Sequence, residues 1–167
     1  MSHNPRHKVP FRRRREGKTD YRARLKLIRS GSPRLVVRRT LNHTTIQFVT
    51  YDEKGDRVVV SASTGHLRTL GWTFATGNTP AAYLAGLMAG RRAFKASVTE
   101  AILDMGRVHP SKGSRVFAAL KGVIDAGVEV PHSDEVLPSE DRIKGAHLNK
   151  PGIGKTFDEV RQKIVNG

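Results

Sequence analysis

The chain has 167 residues, no cysteine and a formal net charge of +15. Without thiols, a disulfide framework, thiolate zinc sites and cysteine nucleophiles are excluded, and this length buries roughly two thirds of its unfolded surface, enough for one domain without a staple. No apolar run approaches the ~20 residues of a membrane helix, and no apolar stretch follows the basic N-terminus as in a signal peptide, so a cytoplasmic protein is expected.

The first element is an arm. Residues 1–40 hold fourteen Lys/Arg against two acids, a net of +12, whereas the other 127 residues hold sixteen against thirteen, a net of +3. Residues 1–17 are too polar and too positive to bury a core, and free in solution they are expected to lack structure until a partner orders them. A local excess of this size implies a dense polyanion. Nucleic acid fits better than an anionic membrane surface, because Gly and Pro break any continuous basic amphipathic helix. A short helix is predicted from Thr19, capped by Thr19 and favoured by Asp20, with Tyr21, Leu25 and Ile28 on one face. That spacing makes Tyr21 a packing residue as well as a candidate for stacking on a base. Gly31-Ser32-Pro33 ends the helix.

Three short strands follow: RLVVRRT at 34–40 with Leu35 and Val37 inward, TTIQFVTY at 44–51 with Ile46 and Phe48 inward, and RVVVSAST at 57–64 with Val58, Val60 and Ala62 inward. Turns at Asn42-His43 and Asp52–Asp56 make them an antiparallel meander. Thr79-Pro80 starts a long helix, Thr79 as cap and Pro80 in the first turn, with Leu84, Leu87 and Met88 as its stripe. Periodicity allows either a continuation of this helix or a buried strand at TEAILDM, 99–105. Val116, Phe117, Leu120, Val123 and Ile124 define a second long helix, stopped by Gly127. Residues 132–155 read as an extended segment. A terminal helix is predicted from Thr156, where Thr156 and Glu159 form a capping box, with Phe157, Val160 and Ile164 as its stripe. The expected fold is α+β: a small mixed, mostly antiparallel sheet with two long helices packed on it. Its expected divisions are a basic arm (1–30), an α+β body (31–131) and a C-terminal extension (132–167).

Catalytic patterns are missing. His3 and His7 stand four apart, but no H-E-x-x-H pattern exists, so no metal is expected. Residues 149–156, NKPGIGKT, resemble a phosphate loop only partly, because Asn149 stands where the first glycine belongs and no hydrophobic strand precedes it. The adjacent acid pairs (134–135, 140–141, 158–159) do not face each other across a cleft, and no serine sits in a nucleophile elbow. Neither an enzyme nor a cofactor is expected. No helix-turn-helix, zinc finger or zipper points to DNA, and no RNP-type aromatic pair or GXXG clamp points to a common small RNA module. A basic arm on a plain α+β body therefore suggests a protein ordered by a large structured RNA. About seven phosphate contacts from the arm would lose on the order of a thousandfold in affinity between 50 and 200 mM salt.

Four stretches carry a resemblance: KTDYRARLKLIRSGSPRLVVRRT (18–40), VSASTG (60–65), GNTPAAYLAGLMAGRRA (77–93) and KGSRVFAALKGVIDAGVEVPHS (112–133). In this order they resemble the archaeal form of the large-ribosomal-subunit protein eighteen family, the universal 5S rRNA-binding ribosomal proteins. The resemblance implies a structural role: binding 5S rRNA and helping to attach it to 23S rRNA in the central protuberance, beside neighbouring large-subunit proteins. It further implies localisation to the ribosome, with no membrane partner and no homo-oligomer. A non-ribosomal RNA-binding protein or an RNA-processing enzyme is the alternative. The RNA contacts implied are Arg12, Arg13, Arg14, Arg15, Lys18, Tyr21, Arg22, Arg24 and Lys26 in the arm, and Arg34, Arg38 and Arg39 on the first strand. Polar contacts are implied at His43, Ser61, Ser63 and Thr64, and a phosphate site at Lys112, Gly113, Ser114 and Arg115, where the second long helix opens. The resemblance also favours a strand at 99–105.

Overall fold

The computed structural model describes residues 8–167, so His3 and His7 lie outside the described residues. Four strands, β1 (Arg34–Arg39), β2 (Thr44–Thr50), β3 (Arg57–Ser63) and β4 (Ile102–Asp104), form one sheet in the order β3-β2-β1-β4. The first three make the antiparallel meander, and β4 joins β1 in parallel, so the stretch at 99–105 contains a strand. This is the mixed α+β arrangement that the patterning implied.

Alternation along β1 and β2 places Leu35, Val37, Ile46 and Phe48, all fully buried, on one sheet face. Val60 and Ala62 of β3 join them, but Val58 does not. The β2–β3 register slips between Phe48 and Val49, so Val58 pairs with Val49 and Val60 with Phe48. The extra residue, Val59, is a bulge, and it turns Val58 onto the opposite face, where it is 47% exposed.

Two helices cover the inner face: α3 (Thr79–Lys95) and α4 (Arg115–Asp125). Both are lined with small residues where they meet. A β-carbon built on Gly86 would lie 2.1 Å from the Ala119 carbonyl oxygen, and one on Gly122 would lie 2.2 Å from that of Tyr83. The backbones therefore touch, and only glycine fits at these crossings. The terminal helix α6 (Ile153–Asn166) lies on α3's other side, with the Phe157 and Tyr83 rings 5.6 Å apart. With the sheet, α4 and α6 around it, α3 is buried on every side from Thr79 to Gly90.

The N-terminal arm contains one helical turn, α1 (Arg12–Arg15), and helix α2 (Tyr21–Ile28). Several boundaries depart from the sequence reading. The cap of α2 is Asp20, whose carboxylate accepts the Arg22 and Ala23 N–H groups at 2.9 and 3.1 Å, rather than Thr19. The cap of α3 is Asn78, accepting from the Ala81 N–H at 2.9 Å, and Thr79 and Pro80 are already inside the helix. α6 starts three residues early: Thr156 is internal and its hydroxyl donates to the Gly152 carbonyl, so no capping box forms. Residues 132–155 are not extended. They hold 3₁₀ turns at Asp134–Val136 and Ala146–Leu148 around a short helix, α5 (Glu140–Lys144), which anchors the segment through buried Ile143.

Candidate nucleic-acid interface

The arm's cations stand on a defined base. In α1 the four arginines project from one exposed turn. Glu16 pairs with Arg12 (2.9 Å) and Lys18 (2.8 Å), and the Arg13 Nε donates to the Thr19 hydroxyl at 2.9 Å, which ties α1 to the start of α2. Phe11, 74% exposed, meets Tyr21 with ring centroids 5.4 Å apart. Tyr21 therefore packs on the arm's own phenylalanine, not in the core. Asp20 is held below the ordinary carboxyl range by the Ala23 and Arg22 N–H groups, so it stays ionised while it caps α2.

Alternate faces of α2 divide its charges. Arg22, Lys26 and Arg29 face solvent. Arg24 turns inward to Asp56 at 2.9 Å, and from Asp56 an ion-pair chain runs beneath the helix: Arg34 at 2.6 Å, then Asp104 at 3.0 Å, then Arg38 at 2.8 Å. It links α2, the β2–β3 turn, β1 and β4. Burial works to raise the Asp104 carboxyl, but the Arg38 guanidinium, the Gly106 N–H and Arg34 outweigh it and hold it below its usual range.

Arg34 is only 5% exposed, so its charge is answered inside the protein and does not reach a phosphate in this arrangement. Arg38 keeps one flank open, its side chain being 45% exposed. Between α2 and the outer sheet face lies a cleft of about 660 Å³ with valines 36, 49 and 58 at its base and Arg13, Lys18 and Lys26 among its walls. The sheet face continues from Gln47, at the cleft's edge, to Thr45, Ser61 and Ser63, whose short polar side chains leave room for close approach by a backbone. Ser61 is exposed, whereas Ser63 accepts the Gly65 N–H at 3.3 Å as the cap of a 3₁₀ turn. Thr64 is fully buried, its hydroxyl accepting the Thr44 N–H at 3.1 Å, so it supports the sheet instead of presenting to solvent.

A second group gathers where β1 ends and α4 begins. Arg39 is exposed, and His43 lies in the β1–β2 turn with its Nδ1 3.3 Å from the Thr76 hydroxyl. Arg115 hydrogen-bonds the carbonyls of Gly77, Thr40 and Leu41 at 2.8, 3.2 and 3.4 Å, pinning that turn to the start of α3. Burial, then the nearby Arg39 charge, lowers its proton affinity. Lys112, Gly113 and Ser114 open α4. Lys112 is exposed and, among the described residues, paired only with the exposed Glu135, Gly113 takes a left-handed φ of 66°, and the Ser114 hydroxyl makes no cap bond. Arg38 and Arg39 are adjacent in the chain but project from opposite faces of β1, one into each group.

Arg107 was missed by the sequence reading. It lies against Gly17 and contributes positive charge at Asp20, extending the arm's field from a loop ninety residues away. Nothing local in the sequence marks it. Among the described residues no three His, Asp or Glu side chains are placed to hold a metal, and no helix is long and apolar enough to cross a membrane.

The family model for "Ribosomal large subunit proteins 60S L5, and 50S L18" matches residues 5–100 and 93–133. A large ribosomal subunit protein uL18 from Korarchaeum cryptofilum is 55% identical over 148 residues, covering 89% of this chain and 76% of that protein. Another from Methanothermobacter thermautotrophicus is 48% identical over 164 residues, covering 98% and 85%. Such proteins are structural components of the ribosome, not a family of enzymes. With the family model spanning well over half of its length, this chain belongs to the family of ribosomal large subunit proteins 60S L5 and 50S L18.

Proposed function

We propose that this large-subunit ribosomal protein binds 5S rRNA and helps attach it to 23S rRNA in the central protuberance. The carrying observation is the arm: four arginines on one exposed turn, with a single carboxylate, Glu16, paired among them. Arg12, Arg13, Arg14, Arg15, Lys18, Arg22 and Lys26 supply phosphate contacts, and guanidinium forks suit bidentate ones. Tyr21 and Phe11 offer an aromatic surface for stacking. Arg38, Arg39, His43, Ser61 and the Lys112–Ser114 opening of α4 continue the contact onto the body. Arg24, Arg34, Ser63, Thr64 and Arg115 act beneath this surface, holding its elements in register.

The test is a salt titration of binding to purified 5S rRNA, alongside an unrelated RNA of equal length. Replacing Arg12–Arg15 with alanine should flatten the log–log salt slope by roughly 3, about 0.7–0.9 per lost phosphate contact. The intact chain should prefer 5S rRNA. Equal affinity for both RNAs across the titration would overturn the 5S assignment, and an unchanged slope would remove the arm from the interface.

A further inference from the structure

A groove of about 600 Å³, sharing no lining residue with the cleft beneath α2, runs between the C-terminal end of α4 and the segments flanking residues 100 and 130. Ile102, Ile124, Val130 and Pro131 make its apolar lining, and Phe94, 54% exposed, stands beside Gly127 at its end. Its charged lining is Glu100 and Glu129. Among the described residues no lysine or arginine lines it. His132, also on the lining, is turned to the Val130 carbonyl (2.7 Å) and to Asp134 (3.5 Å).

The two carboxylates are not scattered surface acids. Glu100 and Glu129 sit opposite each other in a parallel backbone bridge, fixed by the Ala101 N–H to the Glu129 carbonyl and the Glu129 N–H to the Thr99 carbonyl, both 2.9 Å. Like charges placed directly opposite repel. Among the described residues the only side-chain hydrogen bond to either is from the Ser32 hydroxyl to Glu100, at 3.1 Å. A chain of net charge +15 thus holds, on the rim of an apolar groove, two carboxylates without a salt-bridge partner among the described residues. Phosphates would meet repulsion there, whereas a lysine or arginine would relieve it while its apolar neighbour enters the groove.

We infer that this groove docks a basic, extended segment of a second protein, with its cations on Glu100 and Glu129 and an alternate apolar side chain against Ile102, Ile124 and Val130. The surface is separate from the proposed RNA interface, and the charge signs make the two faces selective for different macromolecules.

The probe is a synthetic twelve-residue peptide of alternating lysine and leucine, added to the full-length chain and followed by backbone amide NMR. Its lysine-acetylated form and an oligouridylate serve as comparisons. Perturbations are expected at residues 100–102, 124, 127–130 and 132 with the lysine peptide and not with the acetylated one. Glu100→Gln with Glu129→Gln should weaken binding about tenfold and leave 5S rRNA affinity unchanged, which separates this inference from the RNA reading. Both side chains are exposed, and the substitutions relieve repulsion, so folding is retained. The proposal is overturned if these amides do not move, if the double variant binds equally well, or if the oligouridylate or a second copy of the chain occupies the groove instead.

Discussion

Gly86→Ala isolates the contact that sets the thickness of the body. The added methyl would sit 2.1 Å from the Ala119 carbonyl oxygen and 2.8 Å from its carbon. Backbone on a packed helix cannot swing aside, so α3 and α4 must part by roughly 1 Å to reach van der Waals distance. A gap of that size forfeits about a quarter to a half of each dispersion contact it opens, and Leu84, Leu87, Leu120 and Val123 are all buried nearby. Overpacking of this kind costs about 1–3 kcal/mol or more. Against it stands the helix propensity of alanine, worth about 1 kcal/mol over glycine. The clash should win, because relief requires moving a whole helix, leaving a net loss of about 2 kcal/mol. At about 2–4 °C per kcal/mol for a chain of this size, thermal unfolding followed by circular dichroism should show Tm lowered by roughly 4–8 °C. Gly154→Ala is the control, since nothing lies within 4 Å of a β-carbon there and its backbone is helical. Its Tm should stay level or rise. A Gly86→Ala protein melting at or above the parent would refute the close-approach reasoning, as would equal shifts in the two variants.

Asp104→Asn removes the centre of the ion-pair chain and should lower stability by about 3 kcal/mol, the low end for breaking a buried pair, because Arg34 retains Asp56. Since the folded-state carboxyl is held below its ordinary 3.8, its contribution is present above that value and disappears as pH falls through the folded pKa. Chemical denaturation from pH 6 to 2 should therefore show a shallower acid limb in the variant. Thr64→Val keeps the shape but strips the acceptor from the buried Thr44 N–H, with an expected loss of about 1–3 kcal/mol by urea unfolding. Arg115→Ala should lower Tm while largely sparing the salt slope of RNA binding, and Arg39→Ala should do the reverse. Identical behaviour of this pair in both assays would dissolve the distinction between supporting and contacting arginines.

Much of the fold could be read from one-dimensional patterns, because most of its elements are amphipathic with one face in the core. Leu35 and Val37, Ile46 and Phe48, and the Val116–Ile124 stripe follow from period alone. Val58 broke the rule because a bulge is a two-strand event and leaves no mark on one strand. The terminal capping box failed because Ile153 is drawn into the core, which pulls the helix start ahead of Thr156. Residues 132–155 looked extended because single anchors such as Ile143 carry no period. The candidate interface divides in the same way. Net charge located the arm, but composition cannot distinguish Arg34, inside an ion pair, from Arg39, facing solvent. That difference depends on Asp56 and Asp104, which are 22 and 70 residues from Arg34.

The buried ion pairs explain why an arm of such charge density has a fixed root. Buried pairs seldom add net stability over apolar packing, since desolvation offsets their attraction. What they do supply is geometry. Two carboxylates hold three guanidiniums from α2 and β1, and Asp56 keeps both of its arginine partners only when α2 lies against the outer sheet face. Valines in the same positions would tolerate sliding; directional hydrogen bonds would not. Arg22, exposed on α2 and outside the cleft, is thereby held clear of the body, Lys26 stands at the cleft's edge, and α1 is held through Arg13 and Thr19. Repulsion among the arm's cations would drive an unanchored segment outward in all directions. Anchored here, the same repulsion keeps the charges spread over one surface, where a folded polyanion can meet them together.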